Sequence, residues 1–246
     1  MKWLTFTHLS AIFLYNNLMN TAVIAINYVS FQDVKKRNRQ HVAMEVLSNS
    51  PKWIYPIALG LDDSVCEVER YGIRSFNLLR RNSRTGIGND RDLPYIKEIM
   101  DITAKIDCDK IGYINSDILV GNEFYEALSE DFEAYIFSRS DIAETCSKSF
   151  LKHDFKVIYG GDKHIGADGF FFKKEWWLNN RNSFPDNLII GETEWDTCYR
   201  KIIKNIASNY LEKRVLYHVY HDAKWGLTSP GARNNIKIWR DIEKVN

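Results

Sequence analysis

The stretch Ile111-Gly-Tyr-Ile-Asn-Ser-Asp-Ile-Leu-Val120 decides the fold, because it places three polar residues inside an otherwise apolar run. Residues 111–114 are predicted to form a buried strand, and Asn115, Ser116 and Asp117 follow where that strand ends. A carboxylate at the end of a buried strand requires backbone donors, a cation or a metal ion, because burying it alone is very costly. The triplet therefore indicates either a ligand site or a polar turn.

The sequence before this stretch alternates apolar runs with amphipathic segments, which is typical of a parallel sheet covered by helices. Strands are predicted at residues 21–28, 53–61 and 73–79, helices at 33–47 and 93–106, and a loop at 80–90. The first helix is expected to bury Val34, Val42, Val46 and Leu47. In a doubly wound sheet, ligands bind beyond the carboxyl ends of the strands, and Asp117 lies at such an end.

The second half of the chain has a more mixed pattern. Strands are predicted at residues 134–137, 155–159 and 169–172, and a helix at 194–207. The tail from residue 229 is basic and poor in apolar residues, which predicts a peripheral helix or a partly loose segment. Length and composition together favour a single domain over the whole chain.

Composition and charge exclude several classes of function. The formal net charge of +1 gives no overall attraction for nucleic acid or an anionic membrane. The four cysteines form no CxxC pair, which predicts free thiols in a reducing compartment rather than a zinc cluster. Residues 3–32 carry no Lys, Arg, Asp or Glu, but polar residues interrupt the apolar runs. A buried helix is therefore favoured over a membrane span. The expected location is the cytoplasm, and peripheral contact with a membrane is left open.

Three further stretches carry candidate functional groups. Gly166-Ala-Asp-Gly-Phe-Phe-Phe172 sets Asp168 between two glycines at the mouth of an aromatic strand. Ile190-Gly-Glu-Thr-Glu-Trp-Asp196 places carboxylates at a helix start, where they act as partners of the helix dipole or supply a general base. Tyr217-His-Val-Tyr-His-Asp-Ala-Lys-Trp225 combines two histidines, an aspartate and a lysine. Any single His is more often a satisfied core residue, but this cluster favours a functional role.

These four stretches, in this order, resemble a group of nucleotide-diphospho-sugar transferases of the glycosyltransferase-A fold. That group carries the motifs GYxNSDI, GxDxFxF, GxxxWD and HxxHD, and the likeness covers about residues 21–226. The resemblance implies one α/β domain over residues 1–246, with a mostly parallel central sheet flanked by helices. Residues 227–246 would form a peripheral C-terminal tail.

The resemblance also implies roles for individual residues. The expected ligands of Mn²⁺ or Mg²⁺ are Asp117, His218 and His221. Residues expected to contact the donor are Asp62, Asp63, Asn115, Ser116, Asp117, Asp168 and Lys224. Asp62 and Asp63 have an equally good role as a helix cap. Further phosphate contacts are considered at Arg80, Arg81 and Arg84, and among four tryptophans Trp195 is favoured as the acceptor-facing surface.

The implied activity is transfer of a sugar from a nucleotide-diphosphate donor to a glycan or other hydroxyl acceptor. An inverting, metal-assisted reaction is expected, with Asp196 as the acceptor-side base and Glu194 as its rival. The helix dipole is expected to lower the pKa of Asp196. The triplet has one carboxylate where a full Asp-x-Asp has two, so the alternative is a catalytically degenerate protein that binds a nucleotide sugar or glycan. A nucleotidyltransferase is disfavoured because no Gly-rich basic loop follows the first strand.

Overall fold

A computed structural model of the chain describes residues 21–30, 32–145, 150, 163–221 and 226–244. Within these residues eight strands form one sheet. They are β1 (Ala22–Asn27), β2 (Ile54–Leu59), β3 (Arg74–Phe76), β4 (Lys110–Ile114), β5 (Ile118–Val120), β6 (Ala134–Ile142), β7 (Lys163–Lys173) and β8 (Tyr210–Val219). The strand predicted at 155–159 and the helix expected before β1 lie outside the described residues.

The sheet has the order β3-β2-β1-β4-β7-β6-β8-β5. Its first four strands are parallel to one another, whereas β7 runs antiparallel to both β4 and β6. Strand β8 is parallel to β6, and the short edge strand β5 is antiparallel to β8. The chain leaves β1 toward β2 and β3 and returns to its other side at β4. The carboxyl ends of β1 and β4 therefore flank a switch point, where ligands bind in open α/β sheets.

Seven α-helices and two 3-10 helices are found among the described residues. The α-helices are α1 (Val34–Ser48), α2 (Ser83–Ile87), α3 (Ile96–Thr103), α4 (Asn122–Ser129), α5 (Lys174–Asn180), α6 (Trp195–Ile206) and α7 (Pro230–Lys244). The 3-10 helices are Asp63–Tyr71 and Arg181–Ser183. Asp33 caps α1 by accepting from the Lys36 backbone N–H at 3.0 Å, and Asp62 caps the longer 3-10 helix through Ser64 at 2.9 Å.

Helices cover both faces of the sheet. The first 3-10 helix, α1 and α4 pack on one face, and α3, α5 and α6 pack on the other, with α7 lying against them. Because both faces are covered, β1 reads as a continuous apolar run and its first five residues are buried. None of the helices in the described parts of the chain is long and apolar enough to cross a membrane.

Packing between strands explains the glycine that opens the central motif. Gly112 of β4 lies opposite Phe171 of β7, and a Cβ atom on Gly112 would stand 1.9 Å from Phe171 Cδ1. Gly169 is crowded in the same way, because a Cβ atom there would lie 3.0 Å from side-chain atoms of Ile114 and Leu216. The glycines thus allow aromatic side chains to fill the sheet, and Gly169 approaches neighbouring strands rather than a ligand.

Several sequence-based expectations about the elements need correction. Strand β3 is shorter than predicted, and the expected loop at 80–90 contains α2, which Asn82 caps and Gly88 ends at φ 68°. Strand β8 was not predicted, because its first half is largely exposed and lacks a buried apolar pattern. Val34 is 57% exposed because α1 reaches the sheet only from Gln40 onward. The tail forms the helix α7, one of the two predicted alternatives.

Candidate functional site

The central feature of the site is a cluster of one carboxylate and two imidazoles. Asp117 lies in the turn between β4 and β5, and His218 lies near the end of β8, directly opposite Ile118. His218 Nε2 is 3.2 Å from Asp117 Oδ2, and His221 Nε2 is 3.9 Å from the same oxygen. One ligand atom from each of these three residues lies within 4.8 Å of the others. The three residues predicted as metal ligands are therefore brought together.

A second carboxylate holds the other side of the His218 ring. His218 Nδ1 lies 2.9 Å from Asp141 Oδ1, and the two residues are partners in the parallel pairing of β6 with β8. Arg139, two residues before Asp141 on β6, donates from Nε to Asp141 Oδ1 at 3.0 Å. His218 therefore lies between two carboxylates, and the outer one is itself fixed by a guanidinium.

The same guanidinium joins this cluster to Asp168. Arg139 NH1 donates to Asp168 Oδ1 at 2.8 Å, and Asn115 Nδ2 donates to the same oxygen at 2.9 Å. The Tyr113 hydroxyl donates to Asn115 Oδ1 at 3.0 Å, which orients the amide. Asp168 is 4% exposed, and its Oδ2 has no hydrogen-bond partner among the described residues. Asp168, in the middle of β7, and Asn115, directly after β4, thus tie the two strands together beside Asp117.

Burial and neighbouring charges shift the pKa values of these groups in different directions. Burial alone would raise the pKa of Asp117, but hydrogen bonds from His218 and His221 outweigh it and hold that pKa well below its ordinary value. Burial alone would lower the pKa of His218, yet the hydrogen bond and charge of Asp117 raise it. The pKa of Asp168 is raised, mainly by burial. Asp117 and His218 therefore stabilise each other's charged forms.

The donor atoms of the cluster fit a divalent transition-metal ion. A carboxylate oxygen suits hard ions, and neutral imidazole nitrogen is a common ligand of first-row transition metals. Mg²⁺ prefers oxygen ligands and retains several waters, so two imidazoles favour Mn²⁺ over Mg²⁺. Asp141 supplies the carboxylate that commonly holds the far nitrogen of a metal-binding histidine.

Helix α1 contacts the polar triplet through a buried amide. Gln40 is 1% exposed, and its Nε2 donates to Ser116 Oγ at 2.7 Å. Its Oε1 has no hydrogen-bond partner among the residues that the structure describes. The three residues of the triplet thus have separate attachments: Asn115 to β7, Ser116 to α1 and Asp117 to β8.

The GETEWD segment enters α6 through a strained backbone. Gly191 has φ 74°, and Glu194 has φ 69°, which makes Glu194 the sole described non-glycine residue with positive φ. Such a conformation costs energy and is concentrated at functional sites. Asp196 Oδ2 accepts from the Ala167 backbone N–H at 3.0 Å, immediately beside Asp168. Burial, followed by the charge of Asp168, raises the pKa of Asp196, which corrects the lowering expected from the helix dipole.

Glu192, the first carboxylate of that segment, is buried and has hydrogen-bond partners from other parts of the chain. It is 4% exposed and pairs with Arg91 NH2 at 2.9 Å. Asn89 Nδ2 and Ser229 Oγ also donate to it, at 3.2 and 2.8 Å. Because Ser229 immediately precedes α7, Glu192 connects this helix to the body of the protein.

The remaining predicted site residues are dispersed. Trp195, the predicted acceptor-facing residue, is 4% exposed and packs edge-on against Tyr113 and Phe170 in the core. Asp62 and Asp63 are exposed beyond the end of β2, where Asp62 caps the 3-10 helix. Lys224 lies outside the described residues.

The arginines of the 80–90 segment are engaged near that segment. Arg80 NH1 donates to the Asn77 carbonyl at 3.1 Å, and the Arg81 guanidinium lies over the Tyr95 ring, 4.4 Å from its centroid. Arg84 pairs with Asp92 at 3.2 Å. Their predicted contact with phosphate gains no support from these positions.

Sequence reasoning missed Arg139, Asp141 and Gln40. Arg139 and Asp141 follow the apolar run of β6 in the stretch Ser138-Arg-Ser-Asp141, which is a polar strand end like the central triplet. That signal was present in the sequence and could have identified them. Gln40 stands inside a basic helix without any local signal of its role.

Comparison with solved structures identifies the fold class. S. aureus TarS 1–349 in complex with UDP-GlcNAc matches with a TM-score of 0.58 and 11% identity, covering 91% of this chain and 65% of that one. A mycobacterial protein matches with a TM-score of 0.52 and 11% identity, covering 98% and 80%. The S. pneumoniae glycosyltransferase GlyE gives a TM-score of 0.44 at 13% identity, covering 92% and 62%.

The chain therefore has the glycosyltransferase-A type of α/β fold, and it spans less than two thirds of the TarS fragment. At 11% identity the likeness shows the fold alone. No family model matches the sequence, and no curated protein matches it.

Proposed function

We propose that this protein transfers a sugar from a nucleotide-diphosphate donor to a hydroxyl acceptor. One observation carries the proposal: Asp117, His218 and His221 converge beyond the carboxyl end of β4, in a fold of the glycosyltransferase-A type. Beside the switch point of the sheet, this is where such folds bind nucleotides. The TarS fragment was crystallised with UDP-GlcNAc, which makes this compound the first donor to test.

The reaction places clear demands on the site. The bond between the sugar and the phosphate breaks, and negative charge grows on the leaving diphosphate. A divalent ion held by Asp117, His218 and His221 would neutralise part of that charge. The contribution of the chain is to hold His218 through its contact with the Asp141 carboxylate, which in turn accepts a hydrogen bond from Arg139. Lys224 follows His221 closely in sequence and remains the proposed cation for the diphosphate.

The acceptor hydroxyl needs a base if the transfer inverts the sugar. Asp196 is the proposed base, because its raised pKa moves toward the working pH and makes the carboxylate a better proton acceptor. Glu194 remains the alternative base, because its strained backbone at the start of α6 is of a kind that is concentrated at active sites. A transfer that retains the anomeric configuration would exclude both roles.

A donor screen tests the proposal. Purified protein is incubated with a panel of nucleotide sugars that begins with UDP-GlcNAc, and released nucleoside diphosphate is measured with and without Mn²⁺. We expect release from at least one donor, stimulated by Mn²⁺ and lost in Asp117→Asn. Binding of nucleoside diphosphate without release from any donor would support the degenerate binding protein, which the single carboxylate of the triplet favours. Absence of both binding and release would overturn the proposal.

A further inference from the structure

Strand β6 changes its side-chain alternation just before it reaches His218. Its pairing with β8 shifts register between Ser138 and Arg139. Phe137 and Ile142 both pack in the same hydrophobic core although they are five residues apart, which a regular strand with a period of two would not allow. The pairing passes from Ser138 opposite Arg214 to Arg139 opposite Leu216, so β8 carries one extra residue, Val215, as in the β-bulges found near functional sites.

The change of alternation sets the position of Asp141. Asp141 points away from the core that contains its neighbour Ile142, and His218 points away from the same core, which contains its neighbour Val219. The two residues are also cross-strand partners, so their side chains meet at 2.9 Å. Without the register shift, Asp141 would lie on the opposite face of the sheet from the His218 ring.

Arg139 then fixes Asp141 in place. The Arg139 side chain is 9% exposed, and its planar guanidinium binds Asp141 through Nε and Asp168 through NH1. A guanidinium offers its donors in a fixed arrangement, so the two carboxylates are held at a set distance from one another. Arg139 needs the two carboxylates of Asp141 and Asp168, because a buried guanidinium without carboxylates would be strongly destabilising.

The contact with Asp141 determines which nitrogen of His218 is able to bind a metal ion. When Nδ1–H donates to a carboxylate, a neutral imidazole presents the Nε2 lone pair, which a metal ion requires. Nε2 is the nitrogen that faces Asp117 Oδ2. An ion on Nε2 therefore requires the ring to carry its proton on Nδ1, the nitrogen that faces Asp141.

We infer that Asp141, held by Arg139, is a positioning residue that orients His218 and prepares its Nε2 to bind a divalent cation. This inference rests on the metal-assisted function proposed above. Asp141 itself does not touch the ion. Its contribution is the orientation and basicity of the His218 ring, an effect that typically changes metal affinity by about 10- to 100-fold.

Titration of the full chain with Mn²⁺, followed by electron paramagnetic resonance of the free ion, measures this effect without reference to activity. The variants are Asp141→Asn, which preserves size, and Asp141→Ala, which removes the acceptor. We expect the Kd for Mn²⁺ to rise about 10- to 100-fold, more in the alanine variant. Glu212→Gln is the matched control: Glu212 is a β8 carboxylate that pairs with Lys204 at 2.7 Å, and its replacement should leave the Kd unchanged.

A second readout separates orientation from general loosening of the fold. With Zn²⁺ as a diamagnetic probe, nitrogen NMR of ¹⁵N-histidine should show His218 protonated at Nδ1 in the wild type, and a mixture of ring states in Asp141→Ala. If that variant does not fold, the same two measurements are made on Asp141→Asn and Arg139→Lys.

Two results would overturn the inference. One is a folded Asp141 variant whose Kd for Mn²⁺ stays within about threefold of the wild type, below the range expected for such a positioning residue. The other is a wild-type protein that binds no Mn²⁺, which removes the metal site and the role of Asp141 together. In that case the transferase proposal would still be judged separately, by the release of nucleoside diphosphate in the absence of metal.

Discussion

At the scale of single residues, Asp117 has the most direct connection to the proposed chemistry. Asp117→Asn retains the size of the side chain but removes the negative charge and the carboxylate ligand. We expect Mn²⁺-dependent binding of nucleoside diphosphate to be lost, because an amide oxygen is a weaker ligand than a carboxylate. Calorimetry with UDP measures this loss. Asp131→Asn removes an exposed carboxylate that pairs with Lys173 and serves as the control. Metal-dependent binding that survives in Asp117→Asn would exclude the role.

The substitution Asp196→Asn is expected to raise thermal stability at pH 7 and to lower turnover. Because burial and the charge of Asp168 raise its pKa, the folded state binds this proton more tightly than the unfolded chain does. Stability from this group is therefore fully present below about pH 4, the usual pKa of Asp, and is lost as pH rises through the raised pKa. Asp196→Asn should melt at a higher temperature than wild type at pH 7, with the difference shrinking toward pH 4.

The same substitution should lower turnover, although it raises the melting temperature. If Asp196 is the acceptor-side base, Asp196→Asn lowers turnover by about 10² or more while donor affinity stays unchanged. Steady-state kinetics and melting curves on one preparation measure both effects. Turnover reduced less than tenfold, with the expected shift in stability, would assign Asp196 a purely structural role and direct attention to Glu194.

Gly112 offers a test of packing that is independent of function. In Gly112→Ala the new Cβ would lie 1.9 Å from Phe171 Cδ1, so β4 and β7 must separate locally. We expect the free energy of unfolding to fall by about 1–3 kcal/mol, the usual cost of overpacking. Urea denaturation measures it. Gly226→Ala meets nothing within 4 Å and should be nearly neutral. Equal stability of the two variants would contradict the close contact between the strands.

The sequence predicted individual site residues where the signal was local. Asp117 stands at the end of an apolar run, and His218 and His221 stand in a dense polar cluster, so residue type and neighbours were sufficient. The position of Asp141 depends on a register shift and on pairing with a strand about 77 residues away, which local patterns do not encode. The burial of Trp195 was also not predictable, since a tryptophan at a helix start looks the same in sequence whether its ring faces a ligand or the core.

At the scale of elements, one buried carboxylate helps to attach the start of α7 to the body. Glu192 accepts from Arg91, Asn89 and Ser229, and Gly231 N–H donates to Asn89 Oδ1 at 3.2 Å. Glu192→Ala should destabilise the protein by about 1–3 kcal/mol, because Asn89 and Ser229 lose a buried acceptor while the 57% exposed Arg91 side chain stays solvated. Hydrogen exchange should show the first turn of α7 opening most. Glu243→Ala, at an exposed position in the same helix, is the control.

Elements with strong local signals were predictable. Strand β1, helix α3 and the Asp33 cap of α1 follow from apolar runs, helical spacing and cap chemistry, and the helically spaced Ile96, Ile99 and Met100 are fully buried. Strand β8 was not predictable, because its first half is largely exposed and has no buried apolar pattern. The turn α2 was also missed, since a helix of five residues carries too little periodicity.

At the scale of the whole molecule, the parallel half of the sheet follows from the alternation of strands and helices, and its order places the consecutive strands β1, β2 and β3 side by side. The other half could not be derived in this way. There β7 inserts antiparallel between β4 and β6, and β8 lies between β6 and β5, so that residues far apart in the chain become neighbours. Pairings of this kind depend on side-chain packing across the sheet rather than on local pattern.

The continuity of the sheet leads to the last prediction, which also tests the expected single domain. The two hydrophobic cores lie on opposite faces of the same strands, so loss of one face should expose the other. We expect one cooperative transition in calorimetry of the full chain. The proposed ligand site draws on β4, β5, β6 and β8, and a ligand bound there should therefore stabilise the molecule as a unit. UDP with Mn²⁺ at about 100 times its Kd would add about 2.7 kcal/mol. For a chain of this size that free energy corresponds to a rise of about 5–10 °C in Tm. Asp117→Asn should melt in one transition that does not respond to the ligand. Two transitions, of which UDP and Mn²⁺ move only one, would show that the chain consists of separate folding units and that the nucleotide site belongs to one of them.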